Sequence, residues 1–322
     1  MSGIRVAALV VAAVALLAAC TAGPAAAPET RTVDIGSGPV EIPAAPKRIV
    51  VLSGGLAGNF FALDAPVVGT DTSVLGVAPD ASGFPSMWAT DAVAQGTQVV
   101  SSGGTGINLE AVAAAQPDLI VGGGQGITAV QAQEALPQLR GIAPTVMVPT
   151  SVTTWQKQLD VIADVIGARE RVAPLVAAYE KRKAQVKAAI RVPEGPATIY
   201  LSLPSPKRYL VPDTAALPGL LGELGFTLDP VLRKAGNPKL VSTGDTLELS
   251  PELVASVADA PNMLVVTMGG PSVQQLAADP ALASLPSFAS GKVAELPAYS
   301  FRPDYPSALL TLDAIERAYA TG

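Results

Sequence analysis

The chain contains no histidine, and that absence removes the commonest metal ligand and the commonest general base from the chemistry open to it. His-dependent catalytic triads, His-bearing zinc sites and His-ligated haem are excluded. Cysteine is nearly as scarce. Cys20 stands alone, so no intrachain disulfide, four-cysteine zinc site or iron–sulfur cluster can be assembled from this polypeptide. Positive charge is also in deficit, with 21 Lys and Arg against 27 Asp and Glu and a net charge of −6. Such a balance offers no electrostatic footprint for a phosphate backbone and argues against nucleic acid as a partner. Beyond residue 20 no stretch reaches the roughly 18 uninterrupted apolar residues of a membrane span. What is plentiful is apolar. Hydrophobic residues make up 49% of the 322, enough to offset ordering entropy in one large domain or in two lobes of about 150 residues each.

The N-terminus carries an address. Arg5, the apolar run Val6 to Leu17 and the string Leu17-Ala18-Ala19-Cys20 have the basic, apolar and small-residue parts of a secretory signal, too short for a comfortable membrane span. A lone cysteine directly after Leu-Ala-Ala looks like a bacterial lipobox. Residues 1–19 are therefore expected to be removed as a lipoprotein signal peptide, leaving Cys20 as the lipidated first residue. Residues 20–32, rich in Pro, Ala and Gly, are expected to form a flexible tether that holds an extracytoplasmic domain to the cell membrane.

Two α/β halves follow. Val33 to Ile42 alternates around Gly36-Ser37-Gly38, a hairpin signal. The chain then pairs short β-branched runs, Arg48–Leu52, Asp118–Val121 and Pro144–Val148, with helical stretches, among them Ala129 to Leu139. Alternation of this kind predicts a parallel sheet covered by helices. Trp155, Leu159, Ile162 and Ile166 share one helical face, and Gly167 stops that helix. A second helix, from about Arg171 to Ile190, turns Leu175, Tyr179, Val186 and Ile190 inward and Lys181, Arg182, Lys183 and Lys187 outward. Strand and helix signals resume at Ala197–Leu201 and Asn262–Thr267 and close with a terminal helix, Ala308 to Ala320. The division expected is an N-terminal lobe over 33–153, a helical linker over 154–192 and a C-terminal lobe over 193–322. Ligands of open α/β sheets lie at the carboxyl ends of the strands, which places a cleft between the lobes.

The run Gly122-Gly-Gly-Gln-Gly126 after a strand has irregular spacing and no acidic strand end about 20 residues on, so it is read as a glycine-lined cleft wall rather than a dinucleotide fingerprint. Gly-x-Ser-x-Gly, P-loop and His-Glu-x-x-His motifs are missing, no carboxylate pair is singled out by spacing, and no enzymatic activity is expected. Aromatics are few, six Phe, six Tyr and two Trp, so their positions matter. Phe84 and Trp88 fall in one Pro-containing loop, Tyr299, Phe301 and Tyr305 surround Arg302 in another, and Lys207, Arg208 and Tyr209 follow the first strand of the second half.

Pro46-Lys-Arg-Ile-Val50, the block Gly106 to Val121, Leu139-Arg-Gly-Ile-Ala-Pro-Thr-Val146, Leu217 to Gly225 and Leu249 to Leu253 resemble, in the same order, the periplasmic-type substrate-binding lipoproteins of ABC importers for ferric siderophores, haem and cobalamin. The resemblance implies two Rossmann-like α/β lobes joined by a single long helix, a monomer with a shallow interlobe cleft, no intrinsic cofactor or protein-held metal, and a permease partner. It also implies a ferric siderophore as ligand, gripped through its organic coat by aromatic faces and cations. The residues expected to line the site are Trp88, Gln125, Trp155, Arg208, Tyr209, Tyr299 and Arg302. Haem or a corrinoid in the same fold, with Tyr299 or Tyr209 as haem ligand, is one alternative. A surface interaction lipoprotein without a small-molecule role is a second, and a carboxylate-dependent glycan hydrolase a third. One departure stands out: the family's acid at the start of the first helix of each lobe, which pairs with permease arginines, is lacking at the aligned positions near Gly58-Asn59 and Pro218-Gly219.

Overall fold

A computed structural model describes residues 29–102, 106–241 and 243–321. The signal peptide, Cys20 and most of the expected tether lie outside the described residues. The described chain opens with a hairpin of β1 (Thr30–Val33) and β2 (Val40–Pro43). Its first strand begins inside the stretch expected to be tether, because Arg31 fixes it by donating to the carbonyls of Asp164 and Val165 at 2.7 Å.

Two sheets carry the architecture. β3 (Ile49–Val51), β4 (Val67–Asp71), β5 (Gln98–Ser101), β6 (Leu119–Gly123) and β7 (Thr145–Val148) form a wholly parallel sheet in the order β5-β4-β3-β6-β7. β3, β6 and β7 are buried at every residue, as expected of strands covered on both faces. β8 (Pro196–Ser202), β9 (Arg208–Leu210), β10 (Thr227–Leu228), β11 (Leu247–Leu249), β12 (Asn262–Thr267) and β13 (Val293–Pro297) form the second sheet, ordered β11-β9-β8-β12-β13 with β10 also on β8. In that sheet β8, β10, β12 and β13 run parallel, β9 pairs antiparallel with β8, and β11 pairs antiparallel with β9, which returns it to the direction of β8.

Helix Trp155–Ile166, closed by Gly167 in the left-handed region (φ 73°), leads through a short 3-10 turn into helix Val172–Ala189, which carries the chain from the first sheet to the second. In the latter Tyr179, Val186 and the following Ile190 are buried. The basic face is not simply solvated. Arg182 pairs with Asp313 (2.6 Å) and Glu316 (2.5 Å), and Lys183 with Glu180 (2.8 Å) and Glu223 (2.7 Å).

Sequence and structure differ locally for identifiable reasons. The single helix expected over 129–139 is two, Ile127–Glu134 and Leu136–Arg140, because Pro137 has no N–H to continue the ladder. β5 is an edge strand with two exposed residues, and only two β-branched positions announce it. The terminal helix starts early, at Tyr305, because Asp304 caps it by accepting from the Ser307 amide at 3.0 Å.

The lobes also touch directly. Helix Gly54–Ala62 of the first half packs on the terminal helix Tyr305–Tyr319. There Asp304 accepts from the Gly58 amide at 3.1 Å, Asn59 accepts from the Tyr305 amide at 2.9 Å, and the Asn59 amide donates to Gln158 at 3.2 Å. Asn59 and Asp304 are 0% and 2% exposed, so this seam is dry and its polar groups are satisfied inside it.

Candidate functional site

The parallel sheet reverses its winding between β3 and β6, since β4 and β5 extend one way and β7 the other. Loops at the carboxyl ends of two such strands diverge and leave a crevice. A cavity of about 390 Å³ occupies that crevice, floored by Gly55 and walled by Leu75 and the turn Gln125 to Thr128. The opposite wall belongs to the second half: Ala298, Tyr299, Phe301 and Arg302, from the loop between β13 and the terminal helix. Leu75 and Ile127, 51% and 63% exposed, add apolar surface to it.

The glycines at and just after the end of β6 are steric requirements here. Gly123 has φ 89°, and a Cβ on it would lie 2.3 Å from the Val148 carbonyl oxygen. At Gly126 (φ 88°) a Cβ would lie 2.8 Å from Nη1 of Arg302, so a side chain there would collide with the facing guanidinium.

Arg302 is held as a fork. Its Nε and Nη2 donate to the two carboxylate oxygens of Asp245 at 2.5 and 2.7 Å, and its guanidinium lies 4.8 Å from the Phe301 ring centroid. Gln125 donates across the cleft to Asp245 at 3.1 Å. One carboxylate thus ties both walls together. Tyr299 is half-buried, and burial pushes its phenol above the usual range, with Arg317 pulling the other way.

Of the seven residues expected to line the site, the structure brings Gln125, Tyr299 and Arg302 to one cavity. Trp88 is instead 1% exposed and stacks on Phe61 with centroids 5.4 Å apart, Phe84 lying at 5.8 Å. Trp155 is 3% exposed, between Tyr179 at 4.6 Å and Tyr305 at 5.5 Å. Both indoles are core side chains that fasten helices, and neither lines this cavity. Arg208 is spoken for by Asp279, and Tyr209 sits half-buried on β9 opposite Leu201 and Glu248. Neither is on the cavity wall. The residue that sequence reasoning missed is Asp245. It lies in the polar turn Thr243-Gly244-Asp245-Thr246, where an acid is commonplace, and only the fold carries it to Arg302. Among the described residues no group of three or more His, Cys, Asp or Glu could hold a metal ion.

Residues 49–300 match the family profile described as periplasmic binding protein. The chain belongs to that family. Binding rather than catalysis is the family's business, which sets the hydrolase alternative aside. The ferric enterobactin-binding periplasmic protein FepB of Escherichia coli O6:H1 (strain CFT073) is 31% identical over 284 residues, 85% of this chain and 86% of the relative. The probable siderophore-binding lipoprotein YfiY of Bacillus subtilis is 31% identical over 162 residues, 49% of this chain and 45% of the relative. Among solved structures, holo-ViuP superposes with a TM-score of 0.75 at 28% identity, covering 90% of this chain and 95% of that one. SirA of Staphylococcus aureus, complexed with staphyloferrin B, shares the fold at a TM-score of 0.69 and 20% identity, covering 88% and 96%.

In this periplasmic binding protein, Gly58 and Asn59, the positions aligned with the family's docking acid, are buried in the interlobe seam. They face the terminal helix.

Proposed function

We propose that this chain captures a ferric siderophore in the interlobe cavity and presents it to an ABC-type permease, held outside the cytoplasmic membrane by a lipid on Cys20. The observation that carries this reading is the mixed wall of the cavity. It sets an aromatic ring, a guanidinium fork and an amide around an apolar floor, with no group of three or more His, Cys, Asp or Glu for a bare metal ion among the described residues. Such a wall suits iron that arrives already wrapped, recognised through the chelator's rings and oxygens. The relatives point the same way: FepB is named for ferric enterobactin, and the Bacillus subtilis FhuD, 29% identical over 196 residues, for iron(III) hydroxamates. YfiY, a lipoprotein by name, supports the anchor at Cys20.

Haem is the weaker reading. Of the two tyrosines offered as haem ligands, Tyr209 lies off the cavity wall and Tyr299 alone lines it, with no second ligand among the described lining residues. Mixing with hemin is expected to leave the Soret band unshifted.

Titration of the purified protein with ferrichrome, ferric enterobactin and ferric citrate, followed by intrinsic fluorescence or calorimetry, tests the main proposal. Saturable one-to-one binding of at least one chelate is expected, and silence from all three would refute it. Arg302→Gln removes the cavity's charged donor and is expected to weaken the bound chelate about tenfold, the scale of one or two charge-assisted hydrogen bonds. An unchanged Kd would take Arg302 out of the site. Cys20→Ser is expected to move the protein from the membrane fraction to the soluble fraction of its own host.

A further inference from the structure

The cavity wall contains a cation whose charge is already cancelled. Among the described residues lining the cavity Arg302 is the one that carries a charge, and two of its N–H donors are taken by Asp245. The carboxylate is 8% exposed and the guanidinium 16%. An ion pair this buried is a poor stabiliser, because desolvation cancels most of its Coulomb gain and an apolar pair of similar volume does as well or better. Its presence at a ligand cavity calls for another account. Lys207 and Arg208, which follow β8, lie off this wall and are paired with Glu248 and Asp279, and Arg317 stands beside the Tyr299 phenol without lining the cavity.

We propose that Asp245 sets the charge selectivity of the site, holding Arg302 as a neutral ion pair so that the cavity accepts uncharged ferric trihydroxamates and discriminates against trianionic ferric tris-catecholates. The inference rests on the siderophore reading and narrows its substrate class. A neutral complex with a polar oxygen face gains hydrogen bonds from the wall without needing surplus charge. A trianion leaves water for a site whose one lining cation among the described residues is already matched, and it meets the field of Asp245 at short range through a poorly screened interior. Gln125, bonded to the same carboxylate from the other lobe, keeps Asp245 in place as the walls approach. Asp245 is here a specificity residue acting through Arg302, not a ligand contact.

The experiment compares wild type, Asp245→Asn and Asp245→Glu with two probes, ferrichrome (uncharged) and ferric enterobactin (trianionic). Asp245→Asn keeps an acceptor for Arg302 but removes the charge. It is expected to tighten ferric enterobactin at least tenfold while ferrichrome changes less than threefold, and the gain is expected to shrink with added salt. Asp245→Glu keeps the charge and is expected to leave the preference where wild type has it. Circular dichroism melting of each variant verifies that the protein is folded. Equal shifts for the two probes, a loss for ferric enterobactin in Asp245→Asn, or the same gain in Asp245→Glu would overturn the selectivity role while leaving siderophore binding standing. Wild type that already prefers ferric enterobactin would do the same. Failure of wild type and variants to bind either chelate would remove the siderophore reading and this inference with it.

Discussion

Gly58→Ala is expected to destabilise the protein by about 3 kcal/mol, the upper end for an over-packed interior position. A Cβ at this position would lie 2.1 Å from Oδ2 of Asp304 and 2.6 Å from Cγ of Pro306. Neither neighbour can give way cheaply. Asp304 is the N-cap of the terminal helix, Pro306 lies in that helix's first turn, and Gly58 is inside the facing helix. Relief therefore requires the two helices to separate, which would also pull the Gly58 amide from Asp304 and the Tyr305 amide from Asn59. Gly55 floors the cavity from the same helix, so siderophore affinity is expected to fall along with the melting temperature. Urea unfolding checks the first effect and titration the second. A double-mutant cycle with Asp304→Ala adds a sharper test, because the closer of the two clashes disappears with the carboxylate while that with Pro306 stays, so the two costs should fall short of their sum. Strict additivity, or a Gly58→Ala protein as stable as wild type, would mean that the helices do not meet this closely in solution.

The architecture was legible because its strands are short, β-branched and regularly spaced. Arg48–Leu52, Asp118–Val121 and Pro144–Val148 read as buried parallel strands, and the structure has β3, β6 and β7 there. Pattern fails where a strand has too few residues to show a period. β9, β10 and β11 contain two or three residues each, and their pairing partners define them. The cavity was legible in part. Gly122 to Gly126 announced a wall because glycines after a strand mean close approach of something, and that something includes the Arg302 fork. Aromatic scarcity misled at Trp88 and Trp155, since a rare large ring is worth more to a core than to a surface when few others can fill the space. Asp245, Asn59 and Asp304 carried no local signal, because their roles arise only from long-range pairings such as Asp304 with Gly58 and Asp245 with Arg302.

Asp304 also predicts how the protein responds to acid. Burial raises its carboxyl from 3.8 to about 6, against the pull of hydrogen bonds from the Ser307 and Gly58 amides. The native state therefore holds this proton more tightly than the unfolded chain, in which the group titrates near 3.8. Between about pH 4 and pH 6 the folded form binds more protons, and linkage requires its contribution to stability to fall as pH rises through that window. Below the window the contribution is complete, and above it the loss is fixed. Two pKa units correspond to about 3 kcal/mol, an upper figure for this group. Other carboxylates titrate in the same range, so the informative quantity is the difference between wild type and Asp304→Asn, which keeps a cap oxygen but cannot ionise. Wild type minus variant stability, measured by urea unfolding at intervals from pH 3.5 to 7, is expected to decline from about pH 4 and level off above about pH 6. A rising or flat difference would show that the carboxylate keeps its charge at the seam, stabilised by the two amides beyond what burial costs.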